Sequence, residues 1–485
     1  MNSMKNRIMR YLPLLAISLS TMSCSDFLTL KPEYQMNELG FYQNESDFET
    51  AVVGLYSGLQ SYGQNLIWMN ELATDNAVFQ LANAETAVTG FDYMNLSATN
   101  AYVSTYWSNS YGMISRANGI LNRLSNFDFN SKAKMQGECK FIRALAYFQL
   151  VQLFGDVSIT ELEFSSPNQI ADYDFSRKPV DQVYQLIIQD LMDAESLLSS
   201  EIPENKGKVS IGAVKALLGK VYLTRHEYDK SAEKLKEVID LNAYSLEQDY
   251  GSLFSEGNDD KSESILEIEF ASGNLGEGSN FAHHFYPNVI NMDVFSGGIL
   301  GGGRCVPSET LWNTYEEGDL RRDAALGNKL PMKDGTTSDY YFCKKFVDYS
   351  ATTTSDCGVN FTLLRYADVL LMYAEALNEL GKASEALLYI NQVRQRAGIG
   401  DLHGLSQTAL RTALEKERQC ELCFEGHRWF DLMRTGRTLE VLNEDFKNRG
   451  LAFSVEEYEL LLPIPQGQID IDPDLEQNPG YSSGY

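Results

Sequence analysis

The sequence predicts an all-α protein in which short helical hairpins pack against a loop-rich region with little β structure. Three observations predict it. Apolar residues recur at i, i+3 and i+4 spacing in most segments up to residue 240, and again from about 361 to 440. Two of those segments carry small residues spaced for close helix crossing. Between them, residues 241–362 are rich in glycine and hold one short alternating run.

The chain opens with Lys5, Arg7 and Arg10, an apolar run over residues 11–19, and a small-residue stretch that ends at Cys24. This is the layout of a secretory signal. A membrane-crossing helix needs about 20 apolar residues, and this run is too short. A Cys directly after a small residue suggests a bacterial lipobox, although Thr21 stands where leucine is usual. Residues 1–23 are therefore expected to be a lipoprotein signal peptide and Cys24 the lipidated residue, with ordinary cleaved secretion or a retained anchor as the alternatives. Attachment through more than one acyl chain is stable, where a single chain is marginal.

Removal of residues 1–23 takes away three positive charges and leaves 37 basic against 67 acidic residues, a net charge of −30. So acidic a body repels phosphate backbones and anionic headgroups, which argues against nucleic acid as a partner. The 27 Tyr and 24 Phe suit surfaces that stack on ligands. Besides Cys24 there are Cys139, Cys305, Cys343, Cys357, Cys420 and Cys423, in no repeating framework. Cys343 and Cys357 stand either as free thiols or as a pair across a loop.

Residues 25–45 read as an extended leader. A helix is expected from Ser46, where Ser46 and Glu49 form a capping-box pattern. Residues 60–105 read as irregular. Helices follow at about 103–124, 131–154, 180–199, 210–225 and 229–240. The stretch Ala216, Leu217, Leu218, Gly219, Val221 and Tyr222, followed by Tyr228 and Ala232, resembles a tetratricopeptide repeat, as does Tyr373 to Gly381 with Ala386. Ile265, Leu266, Glu267, Ile268, Glu269 and Phe270 alternate like a short strand. The glycines after it, Gly301, Gly302 and Gly303 among them, mark long surface loops, which in a helical body tend to carry function. Helices resume at about 361, and the tail from 450 is extended.

Cys420, Cys423 and His427 would share one face of a continuous helix, but structural zinc wants a fourth ligand that nothing nearby supplies. Glu417, Arg418, Glu421, Glu425, Arg428, Asp431 and Arg434 crowd the same segment. A catalytic carboxylate pair there is the sharp reading, and ion pairing the stronger one. No nucleophile elbow, phosphate loop or HExxH pattern occurs, and no cofactor is implied. Two loop clusters suit a sugar, whose apolar C–H faces stack on aromatic rings while its hydroxyls need polar partners. The first holds Trp68, Asn70, Asp75, Asn76, Phe79 and Tyr93; the second holds Phe281, His283, His284, Phe285, Tyr286 and Phe295.

Several stretches resemble the SusD/RagB family of outer-membrane nutrient-binding lipoproteins. They are residues 417–432 with Phe424, Glu425, Gly426, His427, Arg428 and Trp429; the C-terminal Pro463, Ile464 and Pro465, then Asn478, Pro479 and Gly480; Leu364 to Ala376; and Val393 to Gly398. Cys24, Ser25, Asp26, Phe27 and Leu28 with Lys31 and Pro32 resemble the family's mature start, and Tyr106, Trp107, Ala117 and Asn118 its first paired helix. The resemblance implies four tetratricopeptide-like units against a loop-rich region, in an N-terminal half over residues 24–240 and a C-terminal half over 241–485. It also implies a partner, a SusC-like TonB-dependent transporter, over which the protein acts as a hinged lid. The expected function is non-catalytic capture of an extracellular oligosaccharide, with an arc drawn from the two loop clusters. An oligopeptide ligand is the first alternative, and a surface glycoside hydrolase the second.

Overall fold

The computed structural model describes residues 41–481 except 81–84, 165, 256, 258, 297–298 and 473. The secretory segment, Cys24 and most of the leader lie outside the described residues. Residues up to Phe48 form one unit and Glu49–Tyr485 a second. Helix α1 (Glu45–Tyr56) starts one residue before the predicted cap, because the Asn44 side chain accepts from the backbone N–H of Ser46 at 3.0 Å.

The second unit is mostly helical. The region expected to be irregular begins instead with α2 (Gly58–Ile67), a π-helical turn over Trp68–Leu72, and, after a two-residue strand β1 (Ala77–Val78), helix α3 (Thr86–Asp92). Then come α4 (Ala101–Leu124) and α5 (Lys132–Phe154), which pack on each other. Asn100 caps α4 by accepting from Tyr102 N at 2.9 Å, and Gly155, at φ +72°, ends α5. Past α5, strand β2 (Val157–Ser158) pairs antiparallel with β3 (Arg177–Lys178), and the short helix α6 (Pro167–Ala171) lies between them in sequence. Helix α7 (Val180–Leu197) lies on α5, and α8 (Ile211–Thr224) on α7.

Helix α8 pairs with α9 (Tyr228–Asp240) in the hairpin read from the sequence. A Cβ at Gly219 would stand 2.6 Å from Leu235, and Ser231 donates to the Gly219 carbonyl at 2.8 Å, so the two helices touch backbone to side chain. The strand expected near residue 265 is β4 (Ser264–Ile268), and its antiparallel partner is β8 (Phe361–Arg365), which occupies the start of the predicted helix. The glycine-rich stretch also holds a turn α10 (Phe281–Phe285), strand β5 (Val306–Pro307), helices α11 (Glu309–Thr314) and α12 (Leu320–Ala325), and a hairpin of β6 (Leu326–Pro331) with β7 (Thr337–Cys343). The second predicted hairpin is α13 (Tyr366–Glu379) with α14 (Ala383–Arg396), and α13 also packs on α9, which joins the two hairpins.

The segment 417–432 is not one helix. Helix α15 (Gln407–Leu422) stops, Phe424 and Gly426 take positive φ of 62° and 80°, and α16 (Arg428–Thr435) begins anew. Helix α17 (Thr438–Asn448) and the short α18 (Gln466–Ile471) complete the chain. Buried ion pairs hold this break. Arg365 donates to Glu263 at 2.7 Å and to Glu421 and Glu425 at 2.6 Å, and Lys345 donates to Glu425 at 2.6 Å, all within the core. The carboxylates crowded in this segment thus serve ion pairing.

Candidate ligand-binding face

The two predicted loop clusters meet. Strand β1 pairs with β5, Ala77 opposite Pro307 and Val78 opposite Val306, and Gln80 N–H donates to the Gly303 carbonyl at 2.8 Å. Just before β1 the chain passes through the π-helical turn, a geometry common beside functional sites. The three glycines ahead of β5 are buried rather than looped into solvent. A Cβ on Gly301 would lie 2.3 Å from the Tyr286 carbonyl and one on Gly302 2.7 Å from His283 Nε2, so only glycine lets this backbone lie against α10.

Beneath this junction lie six of the eight residues expected to touch ligand. Trp68 is 2 % exposed, its ring 4.8 Å from those of Tyr102 and His284. Asn70 donates to the Gly426 carbonyl at 2.9 Å, and Asn76 donates to Glu71 at 2.8 Å and accepts from Gln419 at 3.0 Å. Phe285 packs on Phe424 at 5.0 Å; Tyr286 stacks on Phe342 at 4.9 Å and meets Phe295 at 5.0 Å. All six are buried, so as they stand none offers an exposed ring or amide to a ligand, although the Asn70 side-chain oxygen has no hydrogen-bond partner among the described residues. The sequence pattern drew them as loop aromatics, whereas the helical turns and the hairpin fold over them.

Phe79 and Tyr93 stay accessible, Phe79 half-buried and Tyr93 37 % exposed. The Tyr93 ring lies 6.0 Å from that of Phe453, itself exposed, and the Arg449 guanidinium sits 5.8 Å from the Tyr93 ring while pairing with Asp92 at 2.8 Å. Phe79 N–H donates to the same Asp92 at 3.3 Å. At the other end of α3, Glu85 pairs with Arg304 at 2.6 Å. Half-buried Tyr102 and His283 lie near that pair, and Leu300 stands exposed beside His283, whose Nδ1 is 3.0 Å from the Leu300 carbonyl. The face therefore runs along α3, about 10 Å long, with two rings at one end and an Arg–Glu pair at the other.

Burial sets the charge states below the face. It pushes the Glu71 carboxyl up to about 7 and Asp92 up to about 6, the latter against the pull of Arg449. It holds His284 well below its ordinary value, so the ring is neutral. Tyr102, Arg304, Phe453 and Arg449 escaped the sequence reading. Tyr102 sits in the first turn of a regular helix and Phe453 in a tail read as extended, and nothing local marks either.

Cys343 and Cys357 are free, so the pairing left open in the sequence is not formed. The Cys343 sulfur accepts from Lys345 N at 3.4 Å, and that of Cys357 donates to the Phe346 carbonyl at 3.3 Å. The break after Leu422 separates His427 from Cys420 and Cys423. His427 Nδ1 lies 3.0 Å from Lys220, and the Cys423 sulfur lies 3.2 Å from the Tyr315 hydroxyl. Among the described residues no group of three or more His, Cys, Asp and Glu is placed to hold a metal ion.

Two family models match, one described as the SusD family over residues 316–481 and one as starch-binding associating with outer membrane over residues 26–223. The chain belongs to the SusD/RagB family. SusD-like protein P2 of Formosa agariphila is 28% identical over 509 residues, covering 96% of this chain and 98% of that protein. A SusD-like protein of Bacteroides ovatus is 28% identical over 86% of this chain and 80% of its own length. Among solved structures, a laminarin binding SusD-like protein superposes with a TM-score of 0.78 at 28% identity, covering 91% of this chain and 100% of that one. The helical hairpins and loop-rich region are thus the fold of SusD-like proteins, a family associated with the outer membrane. Among the described residues no helix is long and apolar enough to cross a membrane.

Proposed function

We propose that this SusD-like chain binds an extracellular oligosaccharide on the face along α3 and delivers it to a SusC-like TonB-dependent transporter, with no bond made or broken. The observation that carries the reading is the junction of residues 77–80 with 303–307, which sets exposed Tyr93 and Phe453 and the Arg304–Glu85 pair on one surface. The rings offer apolar faces to sugar C–H groups, and Arg304, Glu85, Gln80 and His283 offer donors and acceptors to hydroxyls. The buried Trp68, Asn70, Asn76, Phe285, Tyr286 and Phe295 support that surface from below. Likeness to a laminarin binding relative supports a glycan as ligand. Attachment through Cys24, facing the exterior, belongs to the same reading, and Cys24→Ser is expected to move the protein from the membrane fraction to the soluble one.

Calorimetric titration against a panel of oligosaccharides and peptides tests the ligand class. One glycan is expected to bind, and Tyr93→Ala and Arg304→Ala each to weaken it about tenfold, the loss of one stacking or charge-assisted contact of about 1.4 kcal/mol. Binding of peptides alone would sink the sugar reading and leave the family assignment intact.

A further inference from the structure

A second cavity, of 710 Å³, opens on the other side of α4, within the roughly 300–1,000 Å³ range of small-molecule sites. Trp107 and Tyr111, four residues apart on α4, share the helix face that walls it, while Tyr102 points to the far side by helical geometry. Tyr173 and Phe175, their rings 4.9 Å apart and backed by Phe164, form the facing wall. The tyrosine hydroxyls are spent on backbone, Tyr111 on the Ser158 carbonyl at 2.8 Å and Tyr173 on that of Ile159 at 2.9 Å. Their rings also pack on neighbours, Tyr111 on Trp107 at 4.9 Å and Tyr173 on Phe164 at 5.0 Å, and with the hydroxyls spent what they turn to the cavity is ring carbon.

The polar complement is specific. Thr160 lines the cavity at 8 % exposure, and among the described residues its hydroxyl has no hydrogen-bond partner although its backbone N–H and carbonyl are both bonded. Gln468 and the carboxylates of Asp174, Asp472 and Asp474 line the mouth, with no Lys, Arg or His among the described lining residues. Ile170 and Ile471, 50 % and 79 % exposed, lie there as well. Aromatic walls, a neutral orphan hydroxyl inside and acceptor oxygens at the mouth suit a molecule with apolar faces and many O–H donors. Asp174 is paired with Lys178 at 2.5 Å, so an anionic sugar would meet Asp472 and Asp474 with no cation among the described lining residues, and an ammonium group would find a neutral hydroxyl at depth.

We propose that this cavity is a second carbohydrate site that takes the rings of a neutral hexose oligosaccharide, separate from the face along α3 and not dependent on it. Two sites on one chain would raise the effective affinity for a polymer that spans both.

Saturation-transfer NMR on the purified protein tests the proposal, with laminaritriose, maltotriose, cellotriose and mannotriose as probes, a sulfated trisaccharide and trigalacturonate as anionic controls, and trilysine as a peptide control. At least one neutral trisaccharide is expected to give transfer that survives Tyr93→Ala/Arg304→Ala and falls at least about tenfold in Ser108→Trp, where a new indole on the exposed Ser108 position fills the cavity. Gln468→Ala, which removes only one mouth contact, is expected to weaken the same signal severalfold and guards against misfolding of the first variant. Transfer that vanishes in Tyr93→Ala/Arg304→Ala and is untouched in Ser108→Trp and Gln468→Ala overturns the second site and leaves the first. Transfer confined to the cavity upholds the second site and removes the first. Silence with all four neutral probes overturns it, as does cavity-dependent transfer to the anionic sugars or to trilysine in their place.

Discussion

A carboxyl sealed from water titrates where an exposed one does not. Glu71 accepts from Asn76 at 2.8 Å and from Gly426 N–H at 2.8 Å, yet burial still dominates and raises its pKa from 4.5 to about 7. The folded state thus binds a proton more tightly than the unfolded one. Its contribution to stability is complete below pH 4.5 and is lost as pH rises through about 7, a difference of about 3 kcal/mol. Glu71→Gln is expected to flatten the fall in stability between pH 5 and 8, read as urea midpoints across that range. Arg365 is the opposite case, a buried cation among Glu263, Glu421 and Glu425. Arg365→Ala leaves three core carboxylates to share Arg396, Arg321 and Lys345, and is expected to cost about 3–5 kcal/mol, visible as a much lower unfolding midpoint. The sequence displayed Glu421 and Glu425 within a crowded segment; their pairing depended on Arg365 and Lys345, more than fifty residues away.

Packing at the level of elements makes one glycine indispensable and another dispensable. In α8, Gly219→Ala would push a methyl 2.6 Å from buried Leu235, and overpacking of about 1–3 kcal/mol is expected to outweigh the gain of about 1 kcal/mol in helix propensity. In α4, nothing lies within 4 Å of a Cβ on Gly112, and Gly112→Ala is expected to stabilise by up to about 1 kcal/mol. Thermal melts of the two variants read the contrast. The hairpins were legible in the sequence for this same reason: small residues at helix crossings and apolar residues at 3.6-residue spacing leave a local trace. Residues 60–105 were not, because α2 runs straight into a π-helical turn that breaks its period, and a two-residue strand and a seven-residue helix are each too short to show one. The candidate site was legible to the extent of its two regions. Which of their side chains face water depended on the folding of β5, β6 and β7 over them, and Tyr93 kept its exposure while Trp68 lost it.

At the scale of the molecule, the two sequence halves are stitched together by contacts that neither contains alone. Arg428 grips Asp75 with two bonds of 2.7 and 2.8 Å, Gln419 reaches Asp75 and Asn76, β1 pairs with β5, and α9 of the first half packs on α13 of the second. Asp75, Asn76 and Arg428 are buried, so a separated half would open ionised and amide groups to water and expose the apolar faces of α9 or α13. A fragment of residues 49–240 is therefore expected to keep helical far-ultraviolet dichroism and to lose cooperative unfolding, and a fragment of 241–481 to do the same. Mixed in equal amounts, the two should regain a single transition. A sharp melt from either fragment alone would mean that its half closes its own core, and that the contacts around Arg428 join two finished bodies rather than complete one. The single variant Arg428→Lys distinguishes the cases without cleavage. Lysine keeps the charge and forfeits the paired geometry, so the intact chain should lose several kcal/mol of stability if the halves depend on each other, and little if they do not.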